Sequence, residues 1–385
     1  MASVKIKRVT FSKDDFMKKN YNFSDKPDMW LLCSCILAAL FGIFVINSAT
    51  ASLSGHWRFV IVQSVAFILG ILAMYVVILF KYTLLEKFRY LIFGGGLAML
   101  ILVLLMGKIS HGTQGWIELG PISLQPSEIA KICFIITIST HISQVKSNIN
   151  KLKTLVFLGV HFLCYIIPVL LQPDFGTAMV FAFIFIVELF FAGIDRRYIL
   201  WAAGGLLVLI PIAWLFLADF QKGRILSFFN PESDPTGSGY HVLQSQLAIG
   251  SGKIFGRGYL NGPQTQFGYL PEKQTDFIFS VIGEEFGLLG TVFITILLFI
   301  IVYRCFDNAQ SHSHDAFGEH ICLGVGAMFL FHILENIGMC IGLMPITGIP
   351  LPFISYGGSN LVTCFIAAGL VQSIRMRRLS TKFNI

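Results

Sequence analysis

The sequence predicts an all-α integral membrane protein of about ten transmembrane helices, with both termini cytoplasmic and one large outer loop between helices 7 and 8. Composition is the first reason: 55% of the 385 residues are hydrophobic and 13% are charged, against roughly 25% charged in ordinary soluble domains. The second is the recurrence of apolar runs that match a hydrocarbon core of about 30 Å. The third is the placement of Lys and Arg, which crowd into alternate gaps between those runs.

The runs lie near 30–50, 60–80, 90–106, 126–141, 155–171, 176–192, 199–217, 276–303, 320–343 and 360–374, and the fourth has a short apolar part. Unpaired backbone groups are not tolerated in lipid, so each run is expected to be a helix; the alternation of a membrane barrel is absent from the sequence. The N-terminal tail, 1–28, carries Lys5, Lys7, Arg8, Lys13, Lys18, Lys19 and Lys26. Its length and charge are unlike a cleavable signal, so the first run is expected to stay in the membrane. The even-numbered gaps carry Lys81, Lys87, Arg89, Lys146, Lys151, Lys153, Arg196, Arg197 and Arg304, and the last residues add Arg375, Arg377, Arg378 and Lys382. Short odd-numbered gaps hold only Arg58 and Lys108. Residues 29–375 therefore read as one membrane domain between two cytoplasmic tails, 1–28 and 376–385.

This orientation sends the odd-numbered connections to the outer face, among them 107–125, the turn Gln172-Pro173-Asp174, the long connection 218–275, and 344–359. The long one contains Pro231, Pro235, Pro263 and Pro271 and reads as mostly irregular, with a short helix over His241 to Ile249. The stretch 344–359 is apolar but broken by Pro and Gly, which suits a re-entrant or surface loop shielded by protein.

Several function classes are excluded or weakened. The net charge of +7 is spread over short connections and forms no basic stripe, so nucleic acid is not a partner. The eight cysteines sit almost entirely in apolar runs, which rules out a disulfide framework. No Cys/His spacing resembles a metal cage, and His312 and His314 read as solvated linker residues. Gly250-Ser251-Gly252-Lys253 fails as a phosphate loop, because Leu247 and Ile254 occupy required positions. No repeat of fixed period is visible, which weighs against a repeat-built transporter.

A few polar residues interrupt this apolar background. Asp276 stands where the long outer connection meets the eighth run, either as a first-turn acid behind a Thr275 N-cap or as a catalytic carboxylate. Glu284 follows on the same face, roughly 12 Å further along at 1.5 Å per residue, with Glu285 beside it. Such acids need an aqueous cavity or a basic partner. In Gln125-Pro126-Ser127-Glu128-Ile129-Ala130-Lys131, Pro126 suits the first helical position and Glu128 and Lys131 share a face. They form a local salt bridge, or else Lys131 meets an anionic group while Glu128 orients it. Trp116 is an interfacial aromatic or part of a site.

Taken together, the segments Trp116 to Gly120, Gln125 to Lys131, Gln172 to Ala178, Gly237 to Gly258, Leu270 to Gly287 and Pro345 to Ser359 resemble the SEDS family of bacterial cell-wall proteins (shape, elongation, division and sporulation). Asn230-Pro231, Gly239-Tyr240, Gln244-Ser245, Ala248 to Gly252 and Gln264-Thr265 are more similar to its rod-shape-determining branch than to its division branch. The resemblance implies a peptidoglycan glycosyltransferase of the bacterial cytoplasmic membrane that polymerises lipid II beside a class B penicillin-binding protein. It implies a catalytic role for Asp276 with Glu128 and Trp116, and substrate contacts from Lys131, Arg224, Gln125, Ser127, Ser355 and Tyr356. A divalent cation, Mg or Mn, would arrive with substrate. The family's Arg before the Trp is replaced by Gly115, so any anion contact it makes must be absent here or supplied by Lys108, Lys131 or Arg224. Two other readings compete: a flippase for lipid-linked precursors, suggested by Glu128, Glu284, Glu285 and Glu335, and a non-catalytic scaffold for a transpeptidase.

Overall fold

The computed structural model describes residues 26–110, 113–119, 122–198, 219–234 and 237–377, with isolated positions between 200 and 215. Most of the N-terminal tail, the greater part of the seventh apolar run, the tail beyond 377 and the side chains of Lys108 and Arg224 lie outside the described residues.

Among the described residues the fold is helical apart from three short strands. Helix α1 (Met29–Thr50) is capped by Asp28, whose side chain accepts the Leu31 amide at 3.1 Å. It is followed by α2 (His56–Leu79), the single turn α3 (Thr83–Lys87) and α4 (Arg89–Met106). Strands β1 (Lys108–Ser110), β2 (Thr113–Leu119) and β3 (Ile122–Leu124) then form an antiparallel sheet, with Lys108 opposite Trp116 and Ile117 opposite Leu124. The connection 107–125, expected as a loop, therefore carries a sheet; β-branched and aromatic residues in Thr113–Leu119 favour it.

Next come α5 (Pro126–Val145), α6 (Leu152–Leu171) and α7 (Phe175–Phe191). After the seventh run lie α8 (Asp219–Phe229), α9 (Ser238–Gly252) and the one-turn α10 (Pro263–Gln266). The long connection is thus more helical than expected. Its prolines fall between these helices or at a first turn, and α9 buries Gly239, Val242, Ser245, Ala248 and Gly252 along one stripe against the long helix that begins at Ile278. The chain ends with α11 (Ile278–Ser311), α12 (Ala316–Cys340) and α13 (Gly358–Arg375).

Among the described residues six helices are long and apolar enough to cross a membrane: α1, α2, α4, α6, α11 and α12. Helices α5 and α13 are less apolar because they lie inside the bundle, where Glu128, Lys131, Ser139, Asn360 and Gln372 face protein. That is why the fourth apolar run looks short in the sequence. Helix α13 packs on α2, α11 on α1 and α12, and α12 on α5 and α7. Since lipid is as apolar as Leu, close approach rather than water exclusion holds such helices together. Gly42 illustrates it: a Cβ there would lie 2.7 Å from the Ile354 Cα.

Helix α11 breaks at Gly287, where φ is 65° and ψ is −159°. Residues 253–258 and the helix complete each other's hydrogen bonds at the break. Arg257 and Gly258 donate their amides to Glu284 O and Glu285 O at 2.9 and 3.0 Å, and Lys253 O and Ile254 O accept Leu288 N and Leu289 N at 2.9 and 3.2 Å.

At the end of the bundle holding Asp28, one cluster closes on itself. Asp28 Oδ2 accepts Arg304 Nη2 at 2.7 Å and Asn308 Nδ2 at 2.8 Å, while the Gln372 amide exchanges two bonds with the Asp28 backbone. Burial opposes ionisation of Asp28, but these donors and the Leu31 amide overcome it and hold the carboxyl below its usual range. Nearby, Glu188 pairs with His320 at 2.5 Å and Tyr82 donates to Asp315. His312, expected in solvent, is buried, with its Nδ1 against Asn308 O at 2.8 Å, because the chain turns back as α11 ends.

Candidate functional site

Asp276 lies in a run of turns just before α11, which starts at Ile278 with Phe277 at the N-cap. Thr275 is therefore not the cap. The carbonyl of Glu272 gathers the amides of Thr275, Asp276 and Phe277 at 3.1, 3.1 and 3.2 Å, making a separate turn ahead of the helix. The Thr275 hydroxyl also donates to Glu272 O at 3.3 Å.

The non-helical segment 341–357 packs beside this turn. Tyr356 donates its amide to Gln274 O at 2.8 Å, and Ser355 Oγ donates to Thr275 O at 2.6 Å while accepting the Leu351 amide at 2.8 Å. Asn336 on α12 donates to Asp276 O and to Ile349 O, each at 2.8 Å. The Asp276 carboxylate faces Gly348, where an added Cβ would lie 3.4 Å from Oδ2. Asp276 is half-buried, in contrast to its fully buried neighbour Phe277. Two stretches far apart in sequence thus meet around one partly accessible acid.

The second cluster lies on α5. Lys131 Nζ is 2.9 Å from Glu128 Oε1 and 2.9 Å from His332 Nε2, and Asn360 Nδ2 donates to Glu128 Oε2 at 3.2 Å. The i, i+3 pair anticipated from sequence is formed, with both side chains buried. Asp174, the N-cap of α7, lies in the same field: burial pushes its carboxyl up and the Lys131 charge partly offsets that. Glu335 Oε1 accepts from Thr347 at 2.7 Å, which ties 345–350 to α12 from another side.

Glu284 and Glu285 serve the outer connection. Glu284 accepts the Gln264 and Thr265 amides at 2.8 and 2.9 Å and the Thr265 hydroxyl at 2.6 Å, and Glu285 accepts from Ser48 at 2.5 Å. The buried Lys273 donates to Ser52 Oγ at 2.7 Å and to Thr265 O. Burial draws the Lys273 amine below its usual range, and Glu285 and Glu284 oppose that pull. Glu284 thus holds 264–265 against α11, Glu285 joins α11 to α1, and Lys273 ties the stretch leading to Asp276 to Ser52, just past α1.

The other anticipated residues divide. Ser355 directs its hydroxyl at backbone, and Tyr356 is half-buried with its ring 5.0 Å from that of Phe59. Gln125 is the N-cap of α5 and its backbone N–H donates to Ser359 Oγ at 3.4 Å. Ser127 is buried, and its hydroxyl has no hydrogen-bond partner among the described residues. Trp116 sits half-buried in β2 beside the buried Gly115. Arg224 belongs to α8, and its side chain lies outside the described residues. Among the described residues no group of three or more His, Cys, Asp or Glu side chains could hold a metal. Sequence reasoning missed His332, Asn336, Asn360 and Lys273; the available signal was a polar residue within or beside an apolar run.

Comparison with known proteins supplies the remaining context. The chain is similar to the peptidoglycan glycosyltransferase RodA of Treponema pallidum, with 34% identity over 91% of this chain and 98% of the relative. It is also similar to the peptidoglycan glycosyltransferase MrdB of Escherichia coli K12, with 38% identity over 73% and 75% of the two chains. Stage V sporulation protein E of Bacillus subtilis is 33% identical over 90% of this chain and 96% of the relative. Among solved structures, a chain from a study of how a peptidoglycan synthase complex coordinates polymerization and crosslinking matches with a TM-score of 0.81 at 28% identity, covering 92% of this chain and 99% of that one. The rod shape determining protein RodA of Thermus thermophilus matches with a TM-score of 0.68 at 25% identity, over 93% and 99%. The family model of the FtsW, RodA and SpoVE cell cycle proteins matches residues 29–379, and the chain belongs to that family.

Proposed function

We propose that this chain is a peptidoglycan glycosyltransferase that polymerises lipid II at the outer face of the bacterial cytoplasmic membrane during cell elongation and shape maintenance. The reading includes ten spans, cytoplasmic termini, an outer connection over 218–275 and a single membrane domain over 29–375. The observation that carries it is the half-buried Asp276, framed by 345–357 and presented at the start of α11, in a chain whose relatives are named for this activity.

In the proposed reaction a sugar hydroxyl attacks the anomeric carbon that bears pyrophosphate, with inversion in one displacement. Asp276 takes the hydroxyl proton, a contribution worth typically about 10²–10⁴-fold. Lys131, oriented by Glu128 and His332, supplies positive charge for the departing pyrophosphate, where a dry setting makes electrostatics strong. A divalent cation would enter with the pyrophosphate. A class B transpeptidase is the proposed partner, in keeping with the similarity of this fold to a chain from a study of a peptidoglycan synthase complex.

The acids that suggest a flippase have local partners. Glu128 meets Lys131, Glu284 meets the 264–265 backbone, Glu285 meets Ser48 and Glu335 meets Thr347. The test is polymerisation of labelled lipid II by the purified protein with its transpeptidase. Long glycan from wild type and none from folded Asp276→Asn is expected; equal product from both would overturn the assignment of the base.

A further inference from the structure

Asn336 is fully buried and its two amide hydrogens reach two carbonyls, Asp276 O and Ile349 O, each at 2.8 Å. Two acceptors can be met only by the NH₂ edge, so the orientation of this amide is fixed by its neighbours. Its Oδ1 is left buried with no hydrogen-bond partner among the described residues. An unmade bond on a buried amide is costly, and it accompanies the placement of both donors on loop backbone.

The two carbonyls belong to the two segments that frame the acid. Asp276 Oδ2 faces Gly348, the residue before Ile349, so tethering Ile349 and Asp276 to one side chain sets the carboxylate against its own wall. One turn earlier on the same face of α12, His332 bonds Pro350 O through Nδ1 at 3.2 Å and Lys131 through Nε2 at 2.9 Å. With Lys131 donating, Nε2 is the acceptor and Nδ1 carries the proton given to Pro350. Consecutive loop residues, Ile349 and Pro350, are thereby fastened to one helix face that also reaches Asp276 and Lys131. The cation and the acid are held in register by α12.

We infer that Asn336 is a positioning residue for Asp276, holding its backbone so that the carboxylate keeps a fixed place beside segment 345–350. This inference rests on the glycosyltransferase reading above. It is tested by purifying wild type, Asp276→Asn, Asn336→Ala and Asn336→Asp with the transpeptidase, and measuring kcat and KM for lipid II per folded molecule, with the folded fraction taken from gel filtration and thermal melting. Asn336→Ala is expected to lower kcat about 10–100-fold with KM within about twofold, because misplacement of about 1 Å has effects of that order. Asn336→Asp, which sets carboxylate oxygens against two carbonyls, should lower kcat at least as far. Wild-type kcat per folded molecule in either variant, even with less folded protein recovered, would overturn the inference, since a purely structural residue changes yield and not rate. An inactive wild type or an active Asp276→Asn is a different result, and it removes the underlying function instead.

Discussion

Two polar clusters in this bundle are built differently. Around Asp28, all the partners come from helices and helix ends: Arg304, Asn308, Gln372 and the first turn of α1. Around Asp276 and Lys131, helix side chains reach out to non-helical backbone: Asn336 to Asp276 O and Ile349 O, and His332 to Pro350 O. The first cluster satisfies charge and joins three helices. The second uses buried polar groups to fix irregular chain, which is tolerated at membrane depth only where protein or a water-filled cavity shields it. The contrast separates charges that hold the fold from charges available for chemistry.

Paired replacements break or sharpen that contrast. Removing one member of a buried ion pair leaves an uncompensated charge, whereas replacing both is often close to neutral for stability. The double variant Glu128→Gln with Lys131→Met should therefore fold, yet lose about 100-fold or more in polymerisation, because the cation proposed to meet the leaving group is gone. Retained polymerisation would place this pair with Asp28 as structural. Glu284→Ala comes next: it strands three donors and should destabilise the protein in detergent by about 3 kcal/mol, with Glu284→Gln milder at about 1 kcal/mol. Gly42→Val forces a side chain into the Ile354 backbone and should cost about 1–3 kcal/mol, read as a lower melting temperature.

The smallest effect belongs to Asp28→Asn. Its carboxyl is held below the usual range, so its contribution to stability is present above the unfolded pKa and fades as pH falls through the folded one. The substitution should leave kcat unchanged, cost about 1 kcal/mol at neutral pH, and flatten the acid loss of thermal stability below about pH 4. A change in kcat would make this cluster more than a clasp.

The same contrast explains what could be read from the sequence. Asp276 and the Glu128–Lys131 pair stand out because charge is scarce in apolar runs, and the i, i+3 spacing alone brings the pair together. Asn336 and His332 do not stand out in the same way, since the loop atoms they hold are backbone carbonyls, which every residue possesses. The break at Gly287 is equally silent, because Phe286-Gly287-Leu288 reads as helix interior until residues 253–258 supply the missing bonds. The prolines of the long outer connection suggest irregular chain, yet they mostly separate its helices; the helix expected over His241 to Ile249 is present and extends to Ser238–Gly252 with a clear buried stripe. His312 looks solvated among Ser311, Ser313 and His314, and only the turn after α11 buries it.

The central claim is that chemistry belongs to the end of the bundle holding Asp276 and not to the end holding Asp28. The most direct test is polymerisation in sealed vesicles of uniform orientation, with lipid II confined to one leaflet and the orientation read from protease access to the C-terminal tail. Glycan should form only when lipid II is supplied on the face opposite that tail. Equal product from the leaflet beside the tail would contradict an outer-face site at Asp276.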